Sequence, residues 1–223
     1  MYIHELNPIA FSLFKLKIYW YSLSYLFGFI FSYFYVKYIL NKDFVNISFK
    51  IFEDFLGWAV IGVVIGGRIG YVIFYNLNFY LDNPIEILKI WQGGMSFHGG
   101  LIGVIAVSIW FAKKNNQNPF EYLDVVSLVA PIGIFFGRIS NFINSELYGV
   151  ETNFFWGVKF VKIDELYRHP SQLYEAFFEG LVLFLILLYF RKKRFLKRPG
   201  LISAIFLFFY SIFRFIIEFV REP

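Results

Sequence analysis

Six stretches of this chain are apolar over the length a membrane-spanning helix requires: Ile18–Tyr38, Phe55–Asn76, Phe97–Lys113, Asp124–Asn144, Leu173–Phe190 and Leu201–Val220. A spanning helix needs about 20 mostly apolar residues. None of the stretches shows the strict alternation of a membrane β-barrel strand. In hydrocarbon every backbone N–H and C=O must find a partner within the protein, so continuous apolar runs of this length are read as helices. The pattern predicts an all-α, polytopic membrane helix bundle of about six transmembrane helices. It forms one domain over residues 1–223, with 77–95 and 148–168 as outer-surface segments. The second of these is polar enough for a small extracytoplasmic cap. The first is amphipathic around Ile85 to Trp91.

Composition sharpens this reading. The chain is 58% hydrophobic and only 17% charged, with mean hydropathy +0.59, whereas a soluble domain carries about a quarter of its residues charged. The absence of cysteine excludes disulfides, thiolate metal sites and a cysteine nucleophile from the protein itself. The net charge of +5 is modest, and its main cluster, Arg191 to Arg198, lies between two apolar runs. Membrane topology explains that cluster, and no basic face for nucleic acid is implied. Met1 to Asn7 lacks the basic start of a signal peptide. Counting Lys and Arg by loop places eleven on the side that includes residues 191–198, 113–114 and 37–50, and seven on the other. The positive-inside rule then puts both termini outside. In that orientation His98, Asn141, Glu146, His169, Gln172, Glu218 and Arg221 gather near outer helix ends, and Tyr19, Trp20 and Tyr21 form an aromatic belt.

Glycines recur every four residues at Gly62, Gly66 and Gly70, at Gly99 and Gly103, and at Gly133 and Gly137. Small residues at this spacing let helix backbones approach closely. No internal repeat suggests an inverted duplication.

The chemistry lies in charged residues at membrane depth, where they are costly and functional by default. Arg138 and Asn141 are three apart and share a helix face, and a guanidinium fork suits phosphate. A structural ion pair between Arg138 and Glu146 is the alternative. Arg214 and Glu218, four apart, are either a structural pair or part of a site. Arg68 either snorkels to an interface or lines the same cavity. His98, flanked by glycines in GGMSFHGG, is either a general base or a structural polar residue. It has no second histidine at ligand spacing, so a metal is not expected. In His169-Pro170-Ser171, Ser171 reads as a helix N-cap, with Gln172 and Glu175 facing the cavity or an interface. No nucleophile elbow is present.

The segments GGRIGYVIFYN, GGMSFHGG, GRISNFINSELYG, HPSQLYEAFFEG and RFIIEFVREP, in this order, resemble the bacterial prolipoprotein diacylglyceryl transferases over most of the chain. The resemblance implies an enzyme that moves the diacylglyceryl group of phosphatidylglycerol to the lipobox cysteine of prolipoprotein signal peptides. It forms a thioether and releases glycerol phosphate, with no cofactor. It implies catalytic roles for His98, Arg138, Asn141, Glu146, Arg214 and Glu218. It implies substrate binding by Arg138, Arg68, Tyr21, Gly149, His169 and Gln172. The implied location is the bacterial cytoplasmic (inner) membrane, with the active site toward the outer face.

Three departures accompany the resemblance. Ser140 replaces a glycine or alanine, the segment from Gly149 to His169 is short, and the chain stops at Arg221-Glu222-Pro223. Family members continue there into a seventh span with a cytoplasmic C-terminus, so the chain reads as a natural short form or a truncated one. The competing function, a membrane transporter of an anionic substrate, would place polar residues along the whole depth of several helices. Here they gather in the outer half.

Overall fold

In the computed structural model, residues 1–14, 16–42, 46–193 and 195–222 are described. Lys15 and Arg194 of the topology count, and Pro223 of the last motif, lie outside them. The chain divides into two compact units, Met1–Lys42 with Asp124–Pro223, and Asp43–Leu123.

The protein is a polytopic membrane protein built mainly of helices. Among the described residues, five helices are long and apolar enough to cross a membrane: α1 (Trp20–Lys42), α2 (Phe49–Tyr75), α5 (Pro119–Asn144), the continuous segment Ser171–Lys192, and α8 (Leu201–Glu218). The fifth segment is composite. It comprises α6 (Ser171–Glu175), a π-helical stretch at Ala176–Val182, and α7 (Leu183–Lys192). The third expected span is present as α4 (Phe97–Lys114). It is not among the five; its 18 residues include His98 near one end and Lys113 and Lys114 at the other. The short α3 spans Leu77–Asp82. Large apolar side chains on these helices, among them Phe31, Phe208 and Phe215, are exposed, as suits lipid contact rather than water.

Two helices begin earlier than their apolar runs, because a polar first turn hides them. α2 starts at Phe49, where the Ser48 hydroxyl accepts from the Ile51 N–H. α5 starts at Pro119, where the missing N–H costs nothing. Ser171 is not the N-cap expected of it. Pro170 holds that position and its carbonyl accepts from Leu173 and Tyr174. Ser171 is fully buried and its hydroxyl donates to the Leu147 carbonyl at 2.8 Å.

Short strands, unseen in the apolar pattern, add to the helices. In the first unit β1 (Tyr2–His4) pairs parallel to β4 (Val158–Phe160), which pairs antiparallel to β5 (Tyr167–Arg168). β2 (Ile9–Leu13) and β3 (Leu16–Tyr19) form an antiparallel pair. His4, fully buried, packs 4.8 Å from Phe142 and 5.1 Å from Phe160, which ties the N-terminal strand to the end of α5. α8 starts at Gly200, which has no side chain to cap it. Asp124 of α5 does so from afar, accepting from the Gly200 and Ser203 N–H groups at 2.8 Å each.

In the second unit α2 and α4 pack backbone to backbone through their glycines. A Cβ on Gly103 would lie 2.0 Å from the Gly62 carbonyl oxygen, and one on Gly66 would lie 2.4 Å from that of Gly99. Phe55, Phe111 and Tyr122 form the aromatic base of this unit, with ring centroids 4.8 to 5.7 Å apart. Gly103→Ala should therefore destabilise the pair by about 1–3 kcal/mol, since only backbone could move aside. Gly57→Ala, with nothing within 4 Å, should not. Trp58 and Trp110, 4.9 Å apart across the pair, report the transition by fluorescence in detergent. Equal midpoints for the two variants would contradict this account of the packing.

Candidate active site

The carboxylate of Glu175, completely buried at the end of α6, gathers three arginines from three parts of the first unit. Arg138 Nε of α5 lies 3.0 Å from one oxygen. Arg214 Nη1 of α8 donates to the other at 2.5 Å, and Arg221 Nε, just beyond α8, lies 3.8 Å from it. Arg214 also donates to Glu218 at 2.6 Å, so the expected i,i+4 pair forms inside a larger network. The three arginine side chains keep 21 to 25% exposure while Glu175 has none. The cations are thus anchored from below and open above. The terminal nitrogens of Arg138 bond to no described residue. An anchored guanidinium with its fork unspent is ready for an anionic oxygen.

Arg138 does not pair with Glu146. That carboxylate accepts instead from Asn141 Nδ2 at 3.0 Å and Asn144 Nδ2 at 3.3 Å. The turn carrying it is sharp. Ser145 and Leu147 have φ of 62° and 55°, a region costly for residues with side chains. Helix α6 pins it: Gln172, fully buried, donates to the Glu146 carbonyl at 2.6 Å, beside the Ser171 bond to Leu147. The motif around Gln172 thus shapes the loop that presents Glu146. Tyr21 donates to or accepts from Tyr25 at 3.1 Å and lies within electrostatic reach of Glu146 and Arg138. Gly137, next to Arg138, lines an apolar groove of about 310 Å³ with Ser24, Gly28, Ala130 and Gly133.

Gly149 is where the chain is tightest. Its N–H donates to the His169 carbonyl at 2.8 Å, and Val150 N–H donates to that of Val220 at 3.1 Å. A Cβ here would sit 2.3 Å from the Val220 oxygen and 2.7 Å from that of His169. Glycine therefore sets where Arg221, paired across from Gly149, enters the cluster. Arg168 secures the same segment through Asp164 at 2.6 Å and Glu222 at 3.1 Å. Its guanidinium holds the Asp164 carboxyl below the usual carboxylate range.

Arg68 and His98 belong to the second unit. Arg68, 4% exposed, spends its donors on carbonyls of one loop: Ile87, Gly93, Gly94, Glu86 and Lys89, at 2.6 to 3.5 Å. Its guanidinium also lies over the Tyr80 ring. The expected amphipathic segment 77–95 is thus α3 followed by tight turns wrapped on a buried cation. Gly94, with φ of 79°, leaves room for Arg68 Nη1. His98 is exposed in the first turn of α4, whose N-cap Ser96 accepts from the Gly99 N–H. No group of three or more His, Asp or Glu able to hold a metal occurs among the described residues.

Sequence reasoning passed over Glu179, and it left Glu175 and Arg221 outside the candidate set. The signal was present: Glu175 and Glu179 stand four apart in an apolar run, and an acidic residue at membrane depth calls for a partner.

Fold and cluster together define a multi-pass membrane protein with an arginine-rich cluster around a buried carboxylate. The family profile of prolipoprotein diacylglyceryl transferase matches residues 8–223. A phosphatidylglycerol–prolipoprotein diacylglyceryl transferase of Rickettsia bellii (strain OSU 85-389) is 53% identical over 98% of the chain and 84% of its own length. Those of Rickettsia felis and Rickettsia typhi are each 52% identical, covering 98% and 100% of the chain and 85% and 86% of their own lengths. The chain belongs to the prolipoprotein diacylglyceryl transferase family.

Two outcomes follow from this geometry. Gly149→Ala should cut activity by at least about tenfold without loss of membrane insertion, because the shifted strand carries Arg221 with it. Activity per inserted molecule at the wild-type level would refute the argument. His169, whose Nδ1 lies 3.1 Å from the Tyr174 hydroxyl, is held below the ordinary histidine range by burial. Its stabilising effect is complete above the unfolded value of about 6.5 and is lost as pH falls through that value toward the folded one. Acidification to about pH 5 should loosen the Glu151–Arg168 segment, read from the fluorescence of Trp156, which stacks on Phe154 beside His169. His169→Phe should flatten that response. An unchanged titration would show that His169 is not its source.

Proposed function

We propose that this protein transfers the diacylglyceryl group of phosphatidylglycerol to the lipobox cysteine of prolipoprotein signal peptides, the first step of bacterial lipoprotein maturation. The observation that carries the reading at the level of residues is the convergence of Arg138, Arg214 and Arg221 on Glu175, with the Arg138 fork unspent. Family membership supports the same chemistry.

The acceptor supplies the sulfur, which is why the enzyme needs no cysteine. Its thiolate attacks the glyceryl carbon bonded to the phosphate oxygen of the donor. A C–S bond forms, the C–O bond breaks, and glycerol phosphate leaves with an added negative charge. Preorganised guanidinium groups stabilise that developing charge without reorganising at the moment of reaction. Arg138 grips the phosphate, Arg214 assists from its position on Glu175 and Glu218, and Asn141, Glu146 and Tyr21 form the adjoining polar rim. The thiol proton needs a base, a role that the imidazole of His98 suits by its chemistry. Arg68, its donors already engaged by carbonyls, organises the loop before α4, so any bearing on substrate passes through that loop. Gly149, His169 and Gln172 shape the rim rather than touch the phosphate. The protein sits in the cytoplasmic membrane with its N-terminus outside and the site toward the outer face.

Membranes holding the protein, phosphatidylglycerol and a lipobox peptide should add a diacylglyceryl mass to the peptide, seen by mass spectrometry. Arg138→Ala should lower the rate at least about a hundredfold, as loss of a charge-stabilising donor does. A wild-type protein that adds no such mass would overturn the reading.

A further inference from the structure

Glu179 is the buried group this chemistry leaves unused. It has no exposure, and neither carboxyl oxygen has a hydrogen-bond partner among the described residues. It sits in the π-helical stretch, one turn beyond Glu175, and π distortions recur at functional sites. The backbone beside it is pressed onto α5: a Cβ on Gly180 would lie 2.7 Å from Phe135 Cβ, three residues before Arg138. The groups facing the Glu179 carboxyl are Glu175 on its own segment, Arg138 on α5, Arg214 and Tyr210 on α8, and Arg221 beyond.

We propose that Glu179 is a positioning residue that stays a neutral acid and thereby leaves the arginine cluster one positive charge in excess for a phosphodiester monoanion. This rests on the transferase reading. An ionised carboxylate with both oxygens buried and unpartnered is far costlier than the neutral acid. The local count of charges favours the same state. Three guanidinium groups stand against two carboxylates, Glu175 and Glu218; ionised Glu179 would cancel the difference and leave a phosphodiester little to bind. The neutral acid gives a monoanionic headgroup a matched site, while the two anchoring carboxylates keep the arginines from scattering. Glu179 acts on the donor through the arginines and does not itself meet the reacting atoms.

Two measurements test this. In purified protein at neutral pH, infrared difference spectra between wild type and Glu179→Gln should show the carbonyl band of a protonated carboxylic acid in the wild type alone. That readout does not depend on enzymatic activity. In the peptide assay, raising pH should increase the KM for phosphatidylglycerol in wild type by roughly tenfold, equivalent to about 1.4 kcal/mol, as Glu179 ionises. Glu179→Gln should lose most of that dependence, and Glu179→Ala should lose activity that Gln restores. A carboxylate signature at neutral pH, or the same alkaline rise of KM in wild type and Glu179→Gln, would overturn the proposal. A protein that shows the acid band and transfers no lipid would sink the transferase reading and leave the protonated Glu179 standing.

Discussion

One buried carboxylate holds the first unit's functional end together. Glu175 binds arginines from α5, from α8 and from the turn that follows α8. The energy of such a network is a poor reason for its existence. Desolvation consumes most of the Coulomb attraction, and a hydrophobic replacement of similar volume is often as stable. What an ion network does provide is uniqueness of position. Removing a single partner leaves an uncompensated buried charge, at a cost of about 3–5 kcal/mol, so these three elements have few other ways to pack. A purely apolar core would leave that geometry looser.

Neutral devices around the network keep it aligned. Gln172 and Ser171, just upstream of Glu175 on the same short helix, fasten the carbonyls of Glu146 and Leu147. One helix thus fixes the anchoring carboxylate and the strained turn together. Gly149 lets the strand after that turn run against Val220 and His169, which sets the entry of Arg221. At the far end of α8, Asp124 caps the helix that carries Arg214. Each contact is worth only about 1–3 kcal/mol where a charged or buried group is involved, yet each removes a degree of freedom from a guanidinium.

Much of the helical frame was legible in the sequence, because spacing in lipid permits one solution. Runs such as Leu201–Val220 have to be helices, and glycines four apart on α2 and α4 have to meet. What escaped reading had weak local signals. β1 and β4 are three residues each and lie more than 150 positions apart, so neither shows a period. The starts of α2 and α5 were hidden by polar first turns. Ser171 looked like a cap because serine before a helix usually is one, whereas here the Leu147 carbonyl takes its hydroxyl. Within the candidate site, Arg138 and Arg214 were visible as cations among apolar neighbours. Their partner was not, because a one-dimensional reading pairs Arg138 with nearby Glu146 and has no means to prefer Glu175, 37 positions away.

The two units treat an arginine in an apolar helix in opposite ways. Arg68 is surrounded by carbonyl oxygens and an aromatic face. Its donors are consumed by neutral acceptors, and its charge serves to gather a segment made of two short 3-10 turns. Arg138 is held only by its Nε, with the ends of its fork left over, and Arg221 keeps a buried Nε with no hydrogen bond. Leaving donors of a charged group unmet costs several kcal/mol if nothing else accepts them. Such donors on a fixed guanidinium suit an acceptor with several lone pairs. The cluster is short of hydrogen-bond acceptors and of negative charge at once, and an anionic oxygen with several lone pairs supplies both. Cations at membrane depth therefore differ in what they have left to offer: Arg68 has spent its donors on carbonyls, whereas Arg138 keeps the ends of its fork.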